Sequence, residues 1–256
     1  MCSLTNLEII LAPIFLCWGS FINMLSYRLI SQESLSIPRS FCPKCKKTIK
    51  PYDLIPVLSW VILKGKCRNC HKSISPLYPF IELLTLVVFE LLIIFVAPHF
   101  WFSYFIFFTA LLVTIRSDLE SMLISRMATL YLLPFSFSLA AFGYLEIGLL
   151  ESILASVVGY LTFWVIKKLF YYYRNLEGMG DGDLELAALI GSLLGLYGLF
   201  MSIFIGSLTG SILGLTLIAT KLAKRETALP FGLFLALGAI IFVLFKSYLN
   251  FIILIS

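Results

Sequence analysis

Apolar runs of about 18 or more residues recur along the chain, and each is long enough to cross a hydrocarbon core of about 30 Å as a helix. Eight candidate spans result: about Leu7–Tyr27, Leu77–Ala97, Phe100–Ser117, Met122–Tyr144, Leu149–Leu169, Leu184–Phe200, Ser202–Thr220 and Phe231–Leu249. One long polar segment, Arg28 to Pro76, separates the first from the second. The Pro98–His99 and Tyr197–Gly198 turns are short, as tight hairpins require. The first span lacks a basic leading region and a small-residue cleavage site, so it reads as a retained helix rather than a cleavable signal. The pattern predicts an all-α polytopic membrane protein with about eight transmembrane helices. Its parts are a first helix over 1–27, a small polar domain over 28–76 and a seven-helix membrane core over 77–256. No polar tail, long linker or clear internal repeat stands out.

Composition agrees with this class. Only 13% of the 256 residues are charged and 60% are hydrophobic, with a mean hydropathy of +1.00. So few charges cannot cover a soluble fold of this size. Charge placement then orients the spans. Ten Lys and Arg, Arg39 among them, fall in 28–76; Arg116 and Arg126 flank the turn after the third span. Lys167, Lys168 and Arg174 follow the fifth, and Lys221, Lys224 and Arg225 the seventh. With eight spans all these loops share one side, and of the 19 basic residues only Lys246 lies near the other. The positive-inside rule makes the shared side cytoplasmic. The net charge of +5 is thereby accounted for by topology and contact with anionic lipid, with no nucleic-acid partner.

Four of the six cysteines form two pairs, Cys42-Pro-Lys-Cys45 and Cys67-Arg-Asn-Cys70, with 21 residues between them. Each CxxC turn places two sulfurs on one side of a loop, and two turns complete a tetrahedron for zinc. Neighbouring Lys and Arg favour the thiolates. A redox pair and unliganded thiols are the alternatives; a reducing cytoplasm disfavours a structural disulfide. Four cysteine ligands leave no open position, so such a metal is structural. Cys2 and Cys17 read as ordinary residues, and His71 as a surface histidine beside Cys70.

Carboxylates at the ends of apolar spans are costly and suggest function. Asp118 follows the third span. Asp181, Asp183 and Glu185 open the sixth, within GMGDGDLEL (178–186). Glu82 and Glu90 lie in the second. Asp118 and Asp183, if they meet, suit aspartyl chemistry: one ionised carboxylate activates water while a protonated one polarises a carbonyl. Gly178, Gly180 and Gly182 would leave backbone open to an extended peptide. The plainer alternative is that Asp181 and Asp183 cap a helix and Asp118 is a solvated loop residue.

The ordered set GSFINMLSYRL (19–29), CPKC (42–45), YDLIPVLSWVILKGKCRNC (52–70), YPFIELLT (78–85), Asp118-Leu119-Glu120 and the glycine–aspartate motif resembles the type IV prepilin peptidases across nearly the whole chain. The resemblance implies a bacterial inner-membrane aspartic endopeptidase. Such an enzyme cuts the basic leader of type IV prepilins or type II secretion pseudopilins after a glycine, at the cytoplasmic face. It also implies N-methylation of the new N-terminus from S-adenosylmethionine. The family motif GxGDxK, aligned through the following helix, makes Asp183 the second catalytic aspartate, with Gly180, Asp181 and Gly182 around it. Gly178-Met179-Gly180-Asp181 fits in the other register. Glu185 stands where lysine is usual, which puts four acids near one site, and Ser125 stands where proline is common, which implies a looser turn. These departures keep open an inactive homologue acting in assembly; an ion-coupled transporter is a further alternative.

Overall fold

The computed structural model describes residues 2–34, 40–176, 178–222 and 229–255. Arg39, Lys224 and Arg225, used above to orient the spans, lie outside the described residues, as does the side chain of Cys2. The chain divides into two compact units, one ending at Ile94 and one beginning at Phe95.

In the first unit, helix α1 (Cys2–Ser31) and helix α3 (Leu77–Phe95) flank the cysteine segment, which contains the single-turn helix α2 (Leu58–Ile62). α1 and α3 approach closely at Gly19, where an added Cβ would lie 2.7 Å from Glu82 Cα. The Asn23 amide donates to the Tyr78 carbonyl at 3.1 Å, and Phe15 stacks on Phe89 with ring centroids 5.4 Å apart. Small residues and side-chain amides are what let apolar helices associate where no water is released.

Between the helices, two loops repeat one backbone design 25 residues apart. The Cys42 N–H donates to Lys47 O and the Cys67 N–H to Lys72 O, both at 2.9 Å. Lys46 and His71 take the same left-handed turn position. Antiparallel bridges Phe41–Thr48 and Lys66–Ser73 close the two loops. The sequence carries the repeat as CPKCKKTI and CRNCHKSI, so an internal repeat is present after all.

The second unit contains α4 (Trp101–Ser121), α5 (Leu133–Ala141), α6 (Leu149–Arg174), α7 (Asp181–Ala219) and α8 (Phe231–Ile255). Among the described residues of the whole chain, six helices are long and apolar enough to cross a membrane, fewer than the eight expected. Three expected spans account for the difference. Met122–Tyr144 is only partly helical, because Met122 turns left-handed and ends α4, and the helix resumes at Leu133 with Pro134 in its first turn. The other two sequence spans, Leu184–Phe200 and Ser202–Thr220, are joined within α7.

A straight helix of 39 residues would run about 58 Å. α7 instead folds back at Gly195, whose φ of 72° and ψ of −176° are non-helical. Three sets of neighbours on α8 show the reversal. Asp183 lies near Gly232; Leu193 and Leu194 share a small cavity with Phe242, Lys246 and Ser247; Gly206 returns to Phe234. The turn thus falls two residues before the Tyr197–Gly198 position expected, where positive φ makes glycine the residue of choice.

The arms of α7 pack through backbone contacts. A Cβ on Gly191 would sit 2.4 Å from the Ala155 carbonyl of α6, and one on Gly206 would sit 2.6 Å from Phe234 O of α8. Gly191→Ala is expected to push α6 and α7 apart and cost about 1–3 kcal/mol, read as a lower midpoint of thermal unfolding in detergent.

Candidate active site

Three helix ends converge in the second unit. α4 ends just after Asp118, α7 begins at Asp181 behind a Gly180 cap, and α8 begins at Phe231. A Cβ placed on Gly232 would lie 3.1 Å from Asp118 Oδ2 and 3.4 Å from Asp183 Oδ1. Both carboxylates therefore approach one spot beside Gly232, where a side chain on residue 232 would not fit. The Leu233 N–H, one of the free donors at the start of α8, donates to Asp118 Oδ2 at 2.7 Å. Asp183 accepts from the Gly180 N–H at 3.3 Å within the first turn of α7. Asp118 is buried and Asp183 is half-buried.

The structure brings Asp118 and Asp183 together and turns the remaining acids elsewhere. Asp181 is exposed and pairs with Lys167 at 2.5 Å. Glu185 is buried, accepting from Thr129 Oγ1 at 3.0 Å and from Arg126 Nε at 3.0 Å. The expected crowding of four acids is thus relieved, since two of them have their own partners. Gly180 and Gly182 sit in the first turn of α7, and Gly182 is capped by Ile124: a Cβ there would meet Ile124 Cβ at 2.7 Å.

Ile124 belongs to the loop 122–129, and its Cδ1 also lies 2.6 Å from the Gly232 Cβ position. The side chain therefore packs over the same point as the two carboxylates. The loop is tied down rather than loose. The Ala128 N–H donates to Ser125 O at 2.9 Å and the Met127 N–H to Ser125 Oγ at 3.3 Å, so the serine closes the turn. Arg126 then clamps it to Glu185.

That clamp is asymmetric, because the Arg126 side chain is 65% exposed and that of Glu185 only 7%. Removing the arginine strands a buried carboxylate, whereas Glu185→Gln leaves an arginine that water can solvate. Arg126→Met is therefore expected to loosen the loop more than Glu185→Gln. Hydrogen exchange over 122–129 reads the difference; equal protection in both variants would contradict the asymmetry.

Sequence reasoning missed Gly232, Leu233, Ile124 and the Arg126–Glu185–Thr129 contact. A glycine in the first turn of an apolar span, at Pro230-Phe231-Gly232, was the available signal for the first of these.

In the first unit, the four sulfurs of Cys42, Cys45, Cys67 and Cys70 lie within 4.8 Å of one another. A tetrahedral zinc with bonds of about 2.3 Å needs sulfurs about 3.8 Å apart, so the donor set can hold a metal ion with little adjustment. N–H groups of Cys70 and Asn69 draw the Cys67 thiol down to about 7, which favours the thiolate a metal needs. Cys17 is exposed and outside the cluster. Nearby, the Arg68 guanidinium holds the Asp53 carboxyl below its ordinary range.

Comparison with known proteins gives two family matches. Residues 14–96 match the bacterial peptidase A24 N-terminal domain, and residues 105–215 match the type IV leader peptidase family. The chain is 35% identical over 208 residues to a prepilin leader peptidase/N-methyltransferase of Aeromonas salmonicida, covering 80% of this chain and 70% of that protein. Proteins of the same name from Pseudomonas aeruginosa and Bacillus subtilis are 34% and 33% identical. Those matches cover 85% and 87% of this chain and 77% and 88% of the relatives. No solved structure matches the chain.

Proposed function

The chain belongs to the type IV leader peptidase family, and from that premise we propose that it is a multi-pass inner-membrane aspartic endopeptidase of prepilins or pseudopilins. The convergence of Asp118 and Asp183 on Gly232 carries this reading. One carboxylate, ionised, takes a proton from water as it attacks the scissile carbonyl. The other, protonated, donates to the carbonyl oxygen. The pair shares its protons, so neither role belongs to one residue. The Leu233 N–H fixes Asp118 against rotation, and the exposed Gly180 at the start of α7 offers backbone to an extended substrate. Gly180, Asp181 and Gly182 serve here as motif residues beside the reacting pair.

With each arm of α7 counted as one pass, and the whole segment Met122–Tyr144, of which α5 is only a part, counted as another, the proposed topology keeps eight passes. The distribution of Lys and Arg supports a cytoplasmic cleavage site, and likewise a cytoplasmic position for the cysteine domain. The metal at Cys42, Cys45, Cys67 and Cys70 is zinc, held for structure. The relatives' names pair peptidase with N-methyltransferase, and the same second activity is proposed here, with S-adenosylmethionine as donor.

The test is cleavage of a co-expressed preprotein with a basic leader and a glycine before its hydrophobic helix. Conversion to the shorter product is expected in membranes containing the wild-type chain. Properly inserted substrates left uncut by abundant wild-type protein would overturn the peptidase reading.

A further inference from the structure

The single turn of α2 has a face that the cysteine domain does not use. Its Trp60 indole turns inward, donating to Ile74 O at 3.2 Å and lying against Gly65. Leu58, Val61 and Ile62, at i, i+3 and i+4, turn outward and are 60%, 59% and 73% exposed. Ile55 just before the turn is also exposed. A stripe of large apolar side chains in water, on a domain with so little core, calls for an occupant.

Two observations identify it. The first is depth. The Val57 N–H, at the start of α2, donates to Glu82 Oε2 at 2.7 Å. Glu82 is buried in α3, five residues past Leu77 where the apolar run begins, or about 7–8 Å along the helix. The carboxylate thus holds the base of α2 below the start of a membrane-crossing helix. That is the level at which interfacial helices bury an apolar face, about 5–10 Å into the boundary between headgroups and acyl chains. Phe80 and Leu83 of α3 are exposed at the same level.

The second is charge. Lys50, Lys64 and Lys66 flank α2 and are exposed, and residues 40–76 carry one acid, Asp53, already paired with Arg68 at 2.7 Å. A basic rim around an apolar turn complements an anionic leaflet.

We propose that residues 52–62 dock in the membrane interface. Leu58, Val61 and Ile62 enter the acyl boundary, the flanking lysines meet anionic headgroups, and Glu82 sets the depth. Glu82 is then a positioning residue: its burial inside a span is compensated by a backbone N–H that would otherwise lie unpaired at the same depth.

The test places the photo-reactive residue p-benzoylphenylalanine at Ile62, and in a parallel sample at Leu58. The full-length protein is reconstituted in vesicles of phosphatidylcholine and phosphatidylglycerol. Irradiation is expected to give phospholipid adducts as the main product, identified by peptide mass. Glu82→Ala is expected to cut their yield at least about fivefold with bound zinc unchanged, while Glu82→Gln, which keeps an acceptor, retains it. Replacing Lys50, Lys64 and Lys66 by serine is expected to lower the phosphatidylglycerol share of adducts by about fivefold or more. Adducts to another segment of this chain, adducts to a second copy, or no adducts from either position would overturn the proposal. Lipid adducts insensitive to Glu82→Ala would remove the anchor from it. None of these readouts needs peptidase activity, so they stand or fall apart from the reading above.

Discussion

Asp118→Asn and Asp183→Asn are each expected to slow leader cleavage by at least about a thousandfold, whereas Asp181→Asn stays within about threefold of wild type. The two critical carboxylates point at Gly232 from different helices, and each role in the reaction needs a group that can exchange a proton. An asparagine keeps the shape and the hydrogen bond that the Leu233 N–H donates, but it neither accepts a proton from water nor gives one to a carbonyl. Asp181, by contrast, is exposed and spends its charge on Lys167. Initial rates at matched membrane levels of protein distinguish the cases. If Asp181→Asn were the inactive variant, the second motif would have to be read two residues earlier, at Gly178-Met179-Gly180-Asp181. If all three variants cut normally, the aspartate pair would have no part in the chemistry.

The placement of these acids was legible because a carboxylate at the end of an apolar run is conspicuous. What surrounds them was not. The N–H that holds Asp118 comes from Leu233, 115 residues away, and any residue except proline supplies the same donor. Ile124 looks like one more apolar residue of a span; only the fold shows it lying on two glycines. Glu185 invited concern as a misplaced charge, yet its partner Arg126 sits on a loop whose direction hydropathy does not report.

The helix count failed for a related reason. Hydropathy is continuous through the reversal of α7, so glycine was the only cue, and several glycines lie close together. Gly195 takes the positive φ while Gly198 stays helical and packs near Phe242. The segment Met122–Tyr144 was apolar enough to suggest a full helix. The turn made by Met122 and Ser125 spends its first residues on the site instead. In the cysteine segment the reverse held: the pairs were plain in the sequence, and so was the repeat around them, but spacing alone drew attention to the sulfurs.

Losing the metal is expected to unfold that segment outright. Among residues 40–76 only Cys42, Gly65 and Cys67 are buried, so two of the cluster's own ligands are nearly all the core there is. Without an ion, four thiols within 4.8 Å supply no attraction that could hold two loops together. With one, the apparent binding free energy of a structural zinc, about 10–16 kcal/mol, becomes folding free energy. Cys67→Ser removes one of the two buried ligands of the cluster. Bound zinc in the purified variant should fall below about a tenth of an equivalent, and brief proteolysis should cut within 40–76. Cys17→Ser, outside the cluster, should keep both zinc and protection. The helices on either side have their own contacts, Asn23 on Tyr78 and Phe15 on Phe89, so α1 and α3 should stay paired in the membrane while the loops between them melt. Stoichiometric zinc in Cys67→Ser would mean that the ion sits elsewhere and that the cysteine cluster holds its shape by other means.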